Sequence, residues 1–339
     1  MVQTTRIVLA ARPSGMPTEE NFRTETVELD GPGAGEALLE TRYLSLDPYM
    51  RGRMSDAPSY APPVQIGQTM VGATVSRVLE SNDDAVKPGD VVLGYGGWQS
   101  HSVEKVRHLR RLDPAVAPVT TALGVLGMPG FTAYSGLLTI GRPRPGETLV
   151  VAAATGPVGS AVGQLGKIKG ARTVGIAGGP KKVALLKDRF GFDVALDHRA
   201  EDFAEQLADA TPDGIDVYFE NVGGAVFDAV LPRLNPFARI PVCGLIAGYN
   251  ATEPPPGPDR LGLLMSTILR KSLTVRGFIQ TEFVADQYPD FLSEMGGWVH
   301  DGRVRYLEDI VEGLDHAVEA FQGLLTGKNL GKLIVKVAD

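Results

Sequence analysis

The chain has 339 residues, of which 43% are hydrophobic and 22% charged, and its formal net charge is -7. This length suits about two domains with a substantial buried core, and the acidic balance disfavours nucleic acid or an anionic membrane as a partner. A single cysteine, Cys243, excludes an internal disulfide framework, and the sequence shows no targeting signal and no apolar run of membrane-spanning length, so we expect a cytoplasmic protein.

The first hundred residues consist of short apolar runs bounded by glycine, proline and aspartate, which is typical of a β-rich domain. The segment 56–64 contains three prolines and predicts an exposed loop. The predicted strands are Arg6 to Ala11, Thr24 to Leu29, Ala37 to Leu46, Thr69 to Leu79, Val91 to Leu93 and His101 to Val106.

The hydrophobic period changes near Pro118, where we expect the second domain to begin. Thr121 to Gly127 and Phe131 to Ile140 have helical spacing. Met128-Pro129-Gly130 predicts a break between them, because proline and glycine both interrupt a helix.

From Leu149 onward, apolar runs of strand type alternate with amphipathic stretches. Strands joined by helical crossovers form a parallel, doubly wound sheet of the Rossmann type, with ligands at the carboxyl ends of the strands. The predicted strands are Leu149 to Ala153, Thr173 to Ala177, Asp193 to Leu196, Ile215 to Glu220, Arg239 to Cys243 and Leu273 to Phe278.

The remaining elements include a proline-rich surface loop, 252–258, and Asp259 as a cap for the helix that follows. A second amphipathic helix is predicted over 286–300, then a helix over 315–325 and a last strand over 332–337. The helix after Asp259 carries an apolar stripe that predicts core packing: Leu261, Leu264, Met265, Ile268 and Leu269.

The turn after the strand at Leu149 has the features of a pyrophosphate-binding loop: Ala154, Thr155, Gly156, Pro157, Val158 and Gly159. Gly156 lets the backbone approach a pyrophosphate, and Gly159 lets the helix pack closely on the strand. Because Ala154 stands at the first glycine of the usual motif, an ordinary strand-to-helix turn is the alternative.

The next strand ends in Ala177-Gly178-Gly179-Pro180-Lys181-Lys182, without the carboxylate that binds the ribose of NAD. A missing acid together with lysines suits the 2′-phosphate of NADP. The alternative is that these lysines are solvated residues in the first turn of a helix.

Five stretches together resemble the zinc-independent enone reductases of the medium-chain dehydrogenase/reductase superfamily. This resemblance covers nearly the whole chain and implies a GroES-like barrel formed by residues 1–120 and 303–339, a Rossmann NADP-binding domain over 121–302, and a homodimer. The five stretches are Leu46-Asp47-Pro48-Tyr49-Met50-Arg51, 128–134, 153–160, Phe219-Glu220-Asn221-Val222-Gly223-Gly224 and Asn329-Leu330-Gly331-Lys332.

The chain departs from zinc-dependent relatives at two places. Gly67-Gln68-Thr69 stands where they carry Gly-His-Glu, and Leu46 lies near the position of a ligating cysteine. One cysteine cannot form a structural zinc cluster, and the histidines show no ligand spacing, so we expect no metal.

The resemblance also implies roles for individual residues. Tyr249 and Tyr49 are the candidate catalytic residues, although both are also compatible with loop tyrosines that bury only the ring. Tyr49, Met128 and Phe278 are expected to line an apolar substrate pocket. Besides the turn at 154–159, the expected cofactor contacts are Gly178, Gly179, Lys182, His198, Asn221, Cys243, Tyr249, Phe278 and Asn329.

Four of these contacts have alternatives. The family often has Asn-Tyr-Lys where this chain has Asp197-His198-Arg199, so either His198 or Arg199 is expected to replace the tyrosine. Asn221 and Asn329 are also compatible with turn residues, and Cys243 with a buried strand residue.

Hydride addition to the β-carbon of an α,β-unsaturated carbonyl gives an enolate, which neutral hydrogen-bond donors can stabilise, whereas reduction of an isolated carbonyl usually requires a metal or a strong acid. The sequence therefore predicts NADPH-dependent reduction of the double bond of enals or enones. A quinone reductase of the same fold and a non-catalytic NADPH-binding protein are the alternatives.

Overall fold

The computed structural model describes residues 2–254 and 257–338, and within them it contains fifteen strands and nine α-helices. The strands are β1 (Val2–Leu9), β2 (Phe22–Leu29), β3 (Glu36–Ser45), β4 (Thr74–Ser81), β5 (Val91–Gly94), β6 (His101–Lys105), β7 (Arg110–Leu112), β8 (Thr148–Val151), β9 (Arg172–Ala177), β10 (Val194–Asp197), β11 (Ile215–Phe219), β12 (Leu234–Val242), β13 (Thr274–Gly277), β14 (Glu308–Glu312) and β15 (Lys332–Lys336). The helices are α1 (Tyr49–Arg53), α2 (Met128–Ser135), α3 (Pro157–Ile168), α4 (Pro180–Asp188), α5 (Phe203–Ala210), α6 (Gly224–Val230), α7 (Leu261–Lys271), α8 (Val284–His300) and α9 (Ala317–Leu325).

The chain divides into two compact units. The first comprises residues up to 124 together with those from 308 onward, and the second comprises 125–307. The domain limits given above from the sequence stay a prediction.

The first unit is β-rich, as the sequence predicts. Its larger sheet has the order β14-β15-β3-β4-β5-β7, with β6 also paired to β3, and β1 and β2 form an antiparallel pair. Trp98 is fully buried in its core, stacked on Phe22 at 5.7 Å between ring centroids and edge-on to Phe321 at 5.6 Å. The last strand, β15, pairs with β3 and therefore joins the C-terminal segment to the N-terminal one.

The second unit contains the predicted parallel sheet, in the order β10-β9-β8-β11-β12-β13. All six strands predicted from Leu149 onward are present, with limits that differ by a few residues. From β8 the chain first adds β9 and β10 on one side of the sheet and then β11, β12 and β13 on the other side. The point between β8 and β11 is therefore the switch point where ligands of such sheets bind.

Alternation along β8 explains why helices cover both faces of this sheet. Leu149 and Val151 lie in one core cluster, with residues of α3 and α8, whereas Val150 and Ala152 lie in another, with residues of α5 and α6. Successive side chains of a strand point to opposite faces, so an apolar run is buried on both.

The predicted helix break at Met128-Pro129-Gly130 is wrong. Instead, α2 begins at Met128, with Pro129 in its first turn, and a π-helical turn continues it over Gly136–Gly141. The first backbone N–H groups of a helix have no intrahelical acceptor, so proline is tolerated there. Upstream, the predicted helix is reduced to a 3₁₀ segment, Val119–Leu123.

The prediction that the apolar stripe of α7 packs in the core is also largely wrong. Leu264 and Ile268 pack against a core cluster, but Leu261, Met265 and Leu269 are 60%, 57% and 81% exposed. Asp259 Oδ1 accepts a hydrogen bond from the Leu261 N–H at 2.9 Å, but the N-cap of α7 is Arg260, one residue after the predicted capping position. In the loop before it, Pro255 and Pro256 lie outside the described residues.

The amphipathic helix predicted over 286–300 is confirmed as α8, in which Phe291 and Met295 are fully buried and Tyr288 and Trp298 pack against the same cluster. Among the helices of the described ranges, α8 included, none combines the length and the apolar character that crossing a bilayer requires.

Candidate active site

The turn after β8 is built closely around its small residues. Ala153 has a positive φ of 50°, and Ala154, fully buried, donates its N–H to the Ile176 carbonyl of β9 at 2.9 Å. Ala154, at the position of the usual first glycine, therefore has a structural role. The left-handed backbone conformation of this turn is found at Ala153, the residue before it.

Gly159 shows why this turn requires glycine. A Cβ there would lie 2.5 Å from the Ala153 carbonyl oxygen and 2.7 Å from the Ala154 Cα. Gly156, at the N-cap of α3, would place a Cβ 3.3 Å from the same oxygen. The sheet and α3 thus meet with backbone against backbone, an arrangement that leaves the first N–H groups of α3 at the carboxyl end of β8.

Asp197, at the end of β10, organises the turn that follows β9. Its Oδ1 accepts N–H bonds from Gly179 and Arg199, both at 2.9 Å. Burial raises the pKa of Asp197, but these two donors lower it further, and the net shift is downward. The carboxylate is thereby engaged by backbone N–H groups and holds Gly179 at a φ of 90°.

Cationic and imidazole groups surround the Gly178-Gly179 backbone. The Arg199 Nε and the His198 Nε2 each lie 2.9 Å from the position that a Cβ on Gly178 would occupy. Burial lowers the pKa of His198, and the positive charges of Arg199 and Lys182 lower it too. Half-buried Lys182 is therefore close enough to act on the imidazole, whereas Lys181 is exposed.

The residues around Gly178 and Gly179 are suited to bind the adenosine end of NADPH. Gly178 and Gly179 leave space that a side chain would fill, Arg199 and His198 border that space, and Lys182 is near enough to act on His198. Arg199, His198 and Lys182 would hold the 2′-phosphate, and the turn at 154–159 would hold the pyrophosphate.

At the carboxyl end of β11, the side chain of Asn221 donates to the Ala152 carbonyl at 2.8 Å and ties this loop to β8. Glu220, 2% exposed, shapes the same loop: its Oε1 accepts the N–H groups of Val222 at 2.6 Å and Gly223 at 2.9 Å, and the Tyr218 hydroxyl at 3.1 Å. Burial raises the pKa of Glu220 in spite of these donors.

Tyr249 follows a 3₁₀ turn, Ile246–Gly248, beyond the end of β12. The Leu245 N–H donates to its hydroxyl at 3.4 Å, and that hydroxyl lies 3.1 Å from the position of a Cβ on Gly244. Half-buried Cys243 precedes this loop, and its N–H donates to the Glu220 carbonyl at 2.9 Å. The phenol therefore stands at the same edge of the sheet as the nucleotide turn.

Phe278 and Met128 belong to the same unit but differ in surroundings. Phe278 is 6% exposed and lies against Gly136, where a Cβ would come within 2.3 Å of the ring. Met128 opens α2 and is half-buried. Phe278 is thus part of the core of this unit, and a pocket role for either residue stays a prediction.

Two candidate residues belong to the first unit. Half-buried Tyr49 opens α1, its ring centroid 5.7 Å from the Arg53 guanidinium, and burial raises the pKa of its phenol. The same guanidinium lies 4.4 Å from the ring centroid of Tyr60 and donates to the Ala61 carbonyl at 2.8 Å. Asn329 donates to the Gly331 carbonyl at 2.8 Å, as a turn residue does.

Two family models match the chain: the N-terminal domain of oxidoreductase over residues 5–112 and the zinc-binding dehydrogenase over residues 157–296. The NADPH-dependent curcumin reductase of Escherichia coli (strain K12) is 59% identical over 98% of this chain and 96% of its own length. Prostaglandin reductase 1 of Rattus norvegicus is 43% identical over 99% of this chain and 100% of its own. Among solved structures, CurA of Vibrio vulnificus in complex with NADPH is 53% identical, with a TM-score of 0.96 over 99% of both chains.

The chain belongs to the zinc-independent enone reductases of the medium-chain dehydrogenase/reductase superfamily.

Membership of the enone reductases confirms the predicted family and the fold class, a parallel Rossmann sheet with a separate β-rich domain. The second family model takes its name from zinc-binding relatives. In the described part of this enone reductase, no group of three His, Cys, Asp or Glu residues is arranged to hold a metal ion.

Three residues of this enone reductase have functions in the loops that sequence reasoning did not assign. Asp197 holds the Gly179 turn, Glu220 holds the loop after β11, and Arg53 packs between two tyrosines. A carboxylate at the carboxyl end of a predicted strand was the available signal, because N–H groups collect at that edge of a parallel sheet. Asp197 directly follows one predicted strand, and Glu220 is the last residue of another.

Proposed function

We propose that this protein catalyses NADPH-dependent reduction of the carbon–carbon double bond of α,β-unsaturated aldehydes or ketones, with hydride addition at the β-carbon and an enolate intermediate. NADPH, when bound, supplies the hydride. The coarser activity, NADPH-dependent reduction of enone- or alkenal-type substrates, rests on the family to which the chain belongs.

The observation that carries the finer proposal is the position of the Tyr249 hydroxyl beside Gly244 and Leu245, past the end of β12. A neutral phenol that already accepts a backbone N–H is polarised as a donor through its own proton. It suits an enolate oxygen, whose charge is delocalised and needs neutral donors only. Tyr49 is the second donor in this proposal, and Met128 and Phe278 contribute apolar surface for the substrate.

The experiment follows NADPH oxidation with a panel of enals, enones and quinones and identifies the products. A saturated ketone is expected, whereas a hydroquinone as the only product would favour the quinone reductase alternative. Tight NADPH binding without turnover on any acceptor would favour the non-catalytic alternative.

Tyr249→Phe tests the residue assignment. We expect kcat to fall about a hundredfold, since one donor to a developing oxyanion has that order of effect, and NADPH affinity to change little. Tyr288→Phe is the matched control, because Tyr288, on α8, is half-buried against Phe131 and is not one of the candidate site residues. Equal turnover of Tyr249→Phe and wild type would remove this tyrosine from the mechanism.

We also propose a homodimer formed through β13. This strand is at the edge of the sheet, all four of its residues are exposed, and the exposed side chains of α7 belong to the preceding helix. Pairing two such edges satisfies their backbone groups and covers apolar surface. A monomer mass for wild type in sedimentation equilibrium would overturn this proposal, and Val275→Lys is expected to shift a dimer towards monomer.

A further inference from the structure

Lys332, the first residue of β15, is a lysine whose side chain is almost entirely removed from solvent, at 2% exposure. Its Nζ donates to the Leu46 carbonyl at 2.6 Å and to Asp47 Oδ1 at 2.8 Å. Burial lowers the pKa of Lys332, and the negative charge of Asp47 opposes that shift. A buried ammonium is retained only where its partners compensate the lost hydration.

Asp47 accepts hydrogen bonds through both its carboxylate and its backbone carbonyl. The Ser45 hydroxyl donates to Oδ2, and the Met50 N–H donates to the Asp47 backbone carbonyl at 3.1 Å. Leu46 is fixed as well, because its N–H donates to the Leu333 carbonyl at 3.2 Å. The chain that leads into α1 is thus attached to the start of β15 by three separate hydrogen bonds.

Helix α1 needs such an attachment. It has only five residues, its N-cap is Pro48, and no side chain caps it. So short a helix is not stable by itself and takes its orientation from its surroundings. Tyr49, its first residue, stands two positions after Asp47, so a shift of Asp47 moves the phenol directly.

Other groups near Lys332 leave its ammonium to hydrogen-bond the segment before α1. Glu308 is near enough for its charge to act on Lys332, but its Oε2 accepts the Thr120 hydroxyl at 2.9 Å, and burial raises its pKa. The stem of Lys332 occupies the space that a side chain on Gly124 would need, with its Cγ 3.4 Å from that Cβ position. The ammonium therefore hydrogen-bonds the residues before Tyr49.

Stability alone is a poor explanation for this pair. Well-packed apolar residues often replace a buried ion pair without loss of stability, whereas charged pairs fix one geometry among several. Resting on the proposed role of Tyr49, we propose that Lys332 is a positioning residue, which acts through Asp47 and the Leu46 carbonyl to hold α1 in the orientation in which Tyr49 meets the substrate.

The test is a double-mutant cycle of Lys332→Met and Tyr49→Phe, followed by kcat/KM for an enone, the dissociation constant of NADPH and the melting temperature. Lys332→Met is expected to lower kcat/KM about tenfold, mainly through KM, with NADPH affinity within about twofold of wild type. In the Tyr49→Phe background the same substitution should change kcat/KM less than about twofold, although it still lowers the melting temperature.

If the losses in kcat/KM caused by Lys332→Met and Tyr49→Phe simply multiply in the double mutant, the positioning role is overturned, while Tyr49 keeps its place in the mechanism. An unaltered kcat/KM in Tyr49→Phe alone would overturn both, and absence of turnover in wild type would instead overturn the proposed function. Lys336→Met, four residues along the same strand, is the matched control and should behave as wild type.

If Lys332→Met does not fold, Ser45→Ala replaces it in the cycle, because it removes one bond to Asp47 and leaves no charge unpaired. A loss of about two- to fivefold in kcat/KM is expected, and it should disappear in the Tyr49→Phe background. Persistence of the full loss there would overturn the proposal.

Discussion

The side chain of Arg199 lies against the backbone of Gly178, its Nε 2.9 Å from the position that a Cβ would occupy and its Nη1 3.7 Å from the corresponding position on Gly179. Gly178 therefore provides the space that Arg199 occupies, and Asp197 fixes the two segments by accepting a hydrogen bond from each. In the binding of NADP that we propose, this contact places Arg199 beside the turn that would hold the 2′-phosphate.

Arg199→Ala is expected to weaken NADPH binding about ten- to a hundredfold and NADH binding little, because a charge-assisted hydrogen bond to the 2′-phosphate contributes about 1.5–3 kcal/mol. Fluorescence titration with both cofactors measures the ratio. Lys187→Ala, an exposed lysine at the far end of α4, is the control. A parallel loss for the two cofactors would assign the phosphate to another residue.

Lys182→Ala should likewise weaken NADPH binding more than NADH binding, by a smaller factor of about five to ten, since lysine acts on a phosphate as a point charge rather than as a bidentate donor. Exposed Lys181 on the same turn provides the matched substitution. If Lys181→Ala and Lys182→Ala weaken NADPH binding equally, the phosphate interacts with the positive charge of this surface in general and not with Lys182 in particular.

Gly159→Ala is expected to destabilise the protein by about 1–3 kcal/mol and to weaken binding of both cofactors, because the added methyl group meets backbone atoms that cannot rotate away. Gly297→Ala in α8 meets nothing within 4 Å. It should increase stability by about 0.5–1 kcal/mol, the propensity gain of alanine within a helix. Urea unfolding of the two variants measures both signs, and a stable Gly159→Ala would contradict the close packing of α3 on the sheet.

The raised pKa of Glu220 predicts a pH dependence of stability. Between 4.5 and its raised value the folded state binds more protons than the unfolded state, so the free energy of unfolding falls as pH rises through that window. Glu220→Gln removes this titration. Relative to the variant, wild type should therefore lose stability in urea unfolding as the pH rises above 4.5 and through the raised pKa of Glu220. A constant difference would show that the carboxyl does not change charge in that range.

The sequence was sufficient to predict the parallel sheet, because each strand buried on both faces is a short continuous apolar run, as in Leu149 to Ala153. The close packing predicted at Gly159 is confirmed, whereas the cofactor contacts predicted for Gly156, Gly159 and Lys182 stay predictions. It was insufficient for α7, where a helical apolar stripe reads the same whether it packs inward or stays exposed. The positions of Asp197 and Glu220 at strand ends were a signal, but the sequence does not show which backbone N–H groups they bind, here those of Gly179 and Gly223, so neither residue was assigned.

Cys243 is the only cysteine among the 339 residues, and burial raises the pKa of its thiol to about 12. Enals and enones are electrophiles that alkylate thiolates by conjugate addition, and a protonated thiol is a poor nucleophile. At neutral pH the chain thus offers the proposed substrates no reactive sulfur. A thiolate in a reductase of such compounds is a target for alkylation by its own substrates, and in this chain the one thiol is half-buried and has a raised pKa, which makes it a weak nucleophile.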